Sequence, residues 1–243
     1  MFTQQLLHQA EERYLQAPKM RDKEEKNKVD IFKSVKSEAI TELTPELFET
    51  SLDLIIESGV LKDIPIFGIG FKGYSLYQKI TESFFIKKLL KFLFELKDIE
   101  LNDREKFINE LESRKETNNA GEKLLITLNR LNDDEKATFI GRLFKKTIIG
   151  KLEYKDFIRL THIIDNAYIE DLKLLENNYY LERIDNDVKS NLHQIGLIKQ
   201  SISDIKREKQ MQIRVGGKVD DIQPRLIYSI NEIGSKFIEF GFN

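Results

Sequence analysis

The sequence predicts a mainly α protein, a helical bundle followed by a small α+β module. Three observations predict it. Across residues 44–168 apolar side chains recur every three or four positions, the spacing that lays a stripe along one face of a helix. Glycines mark helix ends at 59 and 150 within that pattern and at 196 beyond it. Only residues 197–203 (LIKQSIS) and 225–230 (RLIYSI), both in the last third, read as strands.

Taken in order, residues 1–43 read as an N-terminal helix and a charged tether. Phe2, Leu6, Ala10 and Tyr14 keep helical spacing up to Pro18. The following PKMRDKEEKNKVD is too charged to bury and reads as a solvated helix or a flexible linker. A short helix over 30–41 comes next. The bundle, 44–168, opens with Thr44 as N-cap and Pro45 at the first helical position, ahead of a stripe through Leu47, Phe48, Leu52, Ile55 and Ile56.

Three Asn-x-x-Glu pairs, Asn102/Glu105, Asn119/Glu122 and Asn132/Glu135, then predict three helix starts, each Asn capping an orphan amide. Their stripes run through Phe107, Ile108 and Leu111, through Leu124, Leu125 and Leu128, and through Phe139, Ile140, Leu143 and Phe144. Beyond Gly150 a further helix over about 153–166 carries Phe157, Ile158, Leu160, Ile163 and Ile164. Residues 169–243 form the last module: helices over 169–180 and 185–195, two strands around Gly216-Gly217, and a final helix capped by Asn231.

Composition limits the function. A chain of 243 residues with 40% hydrophobic content can bury a core, as one large domain or two small ones. Lys plus Arg (39) nearly balances Asp plus Glu (41), so attraction to nucleic acid or anionic membrane has to be local. With no cysteine there is no disulfide, thiolate nucleophile or cysteine-bound zinc, which fits a reducing cytoplasm. The uncharged run 64–71 is far shorter than the roughly 20 residues of a membrane span, and Met1 opens no signal pattern. The expectation is a soluble cytoplasmic protein.

Residues 64–96 are the most apolar stretch. On a helical wheel Lys87, Lys88, Lys91 and Glu95 share one narrow arc, and Phe85, Ile86, Leu89, Leu90, Phe92, Leu93, Phe94 and Leu96 fill the rest. Two readings follow. Either this is the central helix of the bundle with its lysines facing water, or Phe84, Phe85, Lys87, Lys88 and Lys91 form a membrane- or partner-binding face.

Gly68, Gly70 and Gly73 match the dinucleotide fingerprint, but no acidic residue closes a second strand about 20 positions on. His8, His162 and His193 join no nucleophile or zinc motif, and acidic clusters such as Asp133-Asp134-Glu135 sit at helix starts where capping accounts for them. His162, between Leu160 and Ile163, reads as a core-facing bundle residue. We therefore expect no catalytic residue, no cofactor and no metal.

The segment 139–174, a helix, a glycine break and a second helix with Glu153 between them, resembles the tellurite-resistance helical family, although Ile148 and Ile149 replace that family's acidic residues. Leu192-x-x-x-Gly196-Leu197-Ile198, the Gly-Gly turn, Leu226-x-Tyr228-Ser-Ile and Gly234-x-x-Phe237 look like a winged-helix domain. That resemblance implies a second helix for the major groove and a wing on phosphates. Asp185 and Asp187 make the helix a poor surface for a polyanion, whereas Lys206, Arg207, Lys209, Arg214 and Lys218 enrich the wing in cations. Taken whole, the chain resembles uncharacterised bacterial proteins joining such a bundle to a winged-helix end, some carried by prophages and defence loci. The resemblance implies an antiviral context without an activity. The expected function is a non-enzymatic interaction or regulatory protein that binds a protein partner. The alternatives are a membrane-acting effector using 64–96 and a DNA-binding regulator using the wing; homo-oligomers stay open.

Overall fold

A computed structural model describes residues 31–50, 54, 59–67, 76–114, 119–215 and 223–242. The expected N-terminal helix, the Gly68–Gly70–Gly73 motif, the Gly216-Gly217 turn and Lys218 lie outside them. Among the described residues the chain is mainly helical with one two-stranded antiparallel sheet.

Two helices form the centre, α3 (Leu76–Phe94) against α6 (Glu135–Ile148). Before them come α1 (Ile31–Val35) and the short α2 (Glu46–Glu49); between them lie α4 (Leu101–Ser113) and α5 (Ala120–Arg130). After α6 a turn at Gly150, whose φ of +74° suits a residue without Cβ, leads to α7 (Tyr154–Asn166), which packs back on α6. The expected stripes supply the core. From α3 come Ile86, Leu89, Leu90, Phe92 and Leu93, and from α6 Phe139, Ile140, Leu143 and Phe144, all buried.

Phe144 is the hub. Its ring lies 5.6 Å from Phe92 on α3, 5.7 Å from Phe107 on α4, 5.0 Å from Phe157 on α7 and 6.3 Å from Phe32 on α1, so four helices meet around one side chain. Arg104, 1% exposed, fastens the periphery: its guanidinium donates to the carbonyls of Val35 (2.6 Å), Ser37 (2.8 Å) and Ile99 (3.0 Å). A lysine could not span three acceptors with one compact ammonium.

The last third consists of α8 (Ile169–Lys173), α9 (Asn186–Gln194), β1 (Ile198–Ile202), α10 (Ile205–Arg214), β2 (Leu226–Ile230) and α11 (Glu232–Gly241). Both expected strands form and pair, Ile198 opposite Ile230 and Ile202 opposite Leu226. Gly196, at φ +89°, ends α9, and the Asn231 side chain accepts from the Gly234 amide at 2.9 Å to cap α11. Helix α11 returns to the bundle. Phe237 and Phe242 meet Phe139 of α6 edge to face (5.5 and 5.3 Å), and Lys236 reaches Asp156 of α7 at 2.7 Å.

Several local expectations change. The helix expected over 169–180 stops at Lys173 and gives way to turns. The Asn caps do not form: α4 begins after Glu100 rather than Asn102, and Asn119 lies at φ 62° without a side-chain cap. Asn132 instead accepts from Lys136 at 2.7 Å, because that buried ammonium needs acceptors and takes the Asp165 carbonyl as well (3.1 Å).

Candidate functional site

Strands β1 and β2 make a ribbon held at one end. Successive side chains alternate between faces, so Ile198, Gln200 and Ile202 share a face with Ile230, Tyr228 and Leu226. At the base, Ile198 is buried, the Asn231 side chain donates to the Gly196 carbonyl (2.8 Å), and the Tyr228 hydroxyl meets Ser190 of α9 (3.2 Å). At the tip, about 13 Å away at the usual strand rise, the same face carries Ile202 and Leu226, with Ile202 70% exposed. Base and tip are chemically alike, yet among the described residues the base is covered and the tip is exposed.

Helix α10 follows at this tip, and Lys206, Arg207, Lys209 and Arg214, expected on a wing, lie on it. Asp204 caps it, accepting from the amides of Lys206 (3.0 Å) and Arg207 (3.3 Å). None of its residues is buried. Glu208 turns toward the ribbon, where Arg225 donates to it at 3.1 and 3.0 Å. At about 100° per residue the four cations lie 100° or more around the helix from Glu208. None has an ion-pair partner among the described residues. Beside Glu208 run Met211 and Val215, the latter 78% exposed. The tip thus combines exposed aliphatic groups with positive charge that has no ion-pair partner among the described residues.

The other expected surface is largely taken up by the fold. Lys88 is 7% exposed, and its ammonium donates to the carbonyls of Asn129 (2.7 Å) and Leu131 (2.8 Å) at the C-terminal end of α5. It neither faces water nor offers itself to a membrane. Burial lowers its pKa, against the opposing pull of Asp134. Lys91 pairs with Asp134 at 2.7 Å. Lys87 and Phe85 are half-buried, which leaves Phe84 as the exposed member of the set. No helix among the described residues is long and apolar enough to cross a membrane.

The remaining histidines have unequal roles. His193 Nδ1 lies 3.1 Å from the Ile198 carbonyl, which can only accept, so that nitrogen carries the proton. His162 is exposed rather than core-facing. Among the described residues no group of three His, Asp or Glu side chains could hold a metal ion. The exposed Ile202–Leu226 pair is absent from the sequence reading, although strict alternation within IKQSI marks Ile202 as sharing a face with Ile198.

Compared with family models, curated proteins and solved structures, the chain gives no match.

Proposed function

We propose that this chain is a non-enzymatic interaction protein that docks a protein partner through the tip of its C-terminal ribbon and α10. One observation carries the reading: Ile202 and Leu226 stand exposed opposite each other at the ribbon tip, and α10, which starts there, exposes Met211 and four cations that have no ion-pair partner among the described residues. Exposed aliphatic side chains gain by leaving water, and the cations select an acidic rim around the complementary groove. In this reading residues 169–243 are a winged-helix-like module whose wing carries a helix, and the setting is phage defence or a prophage.

The test is capture from extracts of phage-challenged host cells, using the full chain, an Ile202→Asp/Leu226→Asp double variant and a Lys206→Glu/Arg207→Glu double variant. A protein retained by wild type and lost by both is expected. Retention by the aspartate variant sinks the reading. Nucleic acid is a second reading, favoured by the same four cations; it predicts salt-sensitive DNA binding that the aspartate variant keeps and the glutamate variant loses. Against it, α9 begins with exposed Asp185 and Asp187.

A further inference from the structure

The ribbon that carries the docking surface has an unfinished side. At its base the Asn231 amide donates to the Leu197 carbonyl (3.3 Å), and past its tip the Ser203 amide donates to the Arg225 carbonyl (2.9 Å). In the observed register the pairs that exchange backbone hydrogen bonds are therefore those of the odd-numbered residues of β1. The amides and carbonyls of Ile198, Gln200 and Ile202 point the other way, out of the ribbon. His193, reaching over from α9, takes the Ile198 carbonyl at 3.1 Å and closes the edge at the base. Beyond it, no group among the described residues bonds the amide or carbonyl of Gln200 or Ile202. The hydrogen bonds that bring α10 to the ribbon, from Ser203 and Arg225 to Glu208, lie past Ile202. Residues 199–202 are all exposed.

A free edge of this kind is a template for another strand, and a ribbon of two strands gains most from a third. The two faces of β1 say what such a strand carries. One shows Ile202 beside Leu226, both exposed. The other shows Lys199, which has no ion-pair partner among the described residues. An added strand alternates its side chains between the same two faces. Aliphatic groups on the first face and carboxylates on the second satisfy both. A second copy of β1 fits less well, since IKQSI brings another lysine and no acid.

We propose that the docked partner adds a strand to the outer edge of β1 at Gln200 and Ile202, through an extended segment in which aliphatic and acidic residues alternate. This rests on the docking reading and gives the form of the docked segment. Backbone hydrogen bonds supply the pairing, and the two faces of β1 select the side chains.

The experiment is fluorescence anisotropy of the full chain with a labelled, end-capped heptapeptide alternating glutamate and valine. Two isomers of it are N-methylated, one at the valines and one at the glutamates. Both keep every side chain, yet in a paired strand one set of amides faces β1 and the other faces water. Saturable binding of the parent is expected, with one isomer tenfold or more weaker and the other within twofold. A lysine–valine peptide should bind at least tenfold more weakly. Gln200→Pro removes an outward amide and no ladder bond, so it should weaken the parent fivefold or more while hydrogen exchange at the ribbon base stays as in wild type. The isomer pair, read on wild type, decides the matter should that variant unfold the ribbon. Absence of saturable binding, or isomers that bind alike, overturns the assignment. Isomers that bind alike yet lose affinity for the Ile202→Asp/Leu226→Asp variant remove strand addition alone and leave the docking reading standing. A wild-type dimer in sedimentation velocity that Gln200→Pro splits into monomers places a second copy on the edge, which also overturns it.

Discussion

Replacing Lys88 with methionine removes an ammonium from the interior of the bundle while keeping a side chain of similar length. In the native protein that group holds the Asn129 and Leu131 carbonyls at 2.7 and 2.8 Å. Hydrogen bonds to a charged group contribute about 1.5–3 kcal/mol each, so the gross loss is roughly 3–6 kcal/mol. Methionine recovers part of this, because a buried ammonium carries a desolvation cost and a buried thioether gains about 1.5–3 kcal/mol of transfer energy. The net destabilisation should be about 2–3 kcal/mol, a fall in thermal midpoint of roughly 5–10 °C for a chain of this size. Urea unfolding at pH 7, in low salt and again in 0.5 M NaCl, is the assay. A buried bond is little screened, so the deficit should persist in salt. Lys87→Met is the control: the position is half-buried and, among the described residues, its ammonium bonds no backbone carbonyl, so the change should stay below about 1 kcal/mol. Equal effects at the two positions would refute the reasoning, for they would mean that Lys88 is an ordinary surface lysine.

Two further predictions follow from close packing and from burial. A Cβ at Gly234 would press into the Leu197 carbonyl, with the Leu197 carbonyl carbon at 3.0 Å, so Gly234→Ala should cost about 1–3 kcal/mol despite better helix propensity; faster hydrogen exchange at α11 and the ribbon base is the measurement. Burial raises the pKa of Glu95, while Arg142 pulls it back. The folded state therefore holds that proton more tightly than the unfolded chain, and the associated stability is full below pH 4.5 and lost as pH rises through the folded pKa. Glu95→Gln mimics the protonated form, so its thermal midpoint should gain on wild type between pH 4 and pH 7; a difference that is flat or shrinks contradicts this.

Much of the bundle was legible because helical periodicity depends on local spacing, and both strands were legible because they alternate. What failed depended on partners distant in sequence. A wheel assigns Lys88 to water, whereas its acceptors are backbone carbonyls more than 40 residues away that no pattern marks. Ile158 and His162, one turn apart, share an arc just outside the buried line through Phe157, Leu160 and Ile164, so both are exposed instead of in the core. Helix α10 did leave a signal, an Asp followed by a run of strong helix formers, KREKQMQ, but its charge density reads as a loop. Of the candidate sites, the cations of the ribbon tip were legible and its aliphatic pair was not.

The return of α11 to the bundle has a consequence for synthesis. Phe139, which helps form the middle of the molecule, has to wait for Phe237 and Phe242 before its ring is covered. On the ribosome the chain emerges from its N-terminal end, so that patch of α6 stays wet until residues 232–242 have followed it out. A nonsense codon just upstream of residue 232 would then remove no mere appendage: it would release a chain with an open seam, prone to stick to its neighbours and to be cleared by proteases.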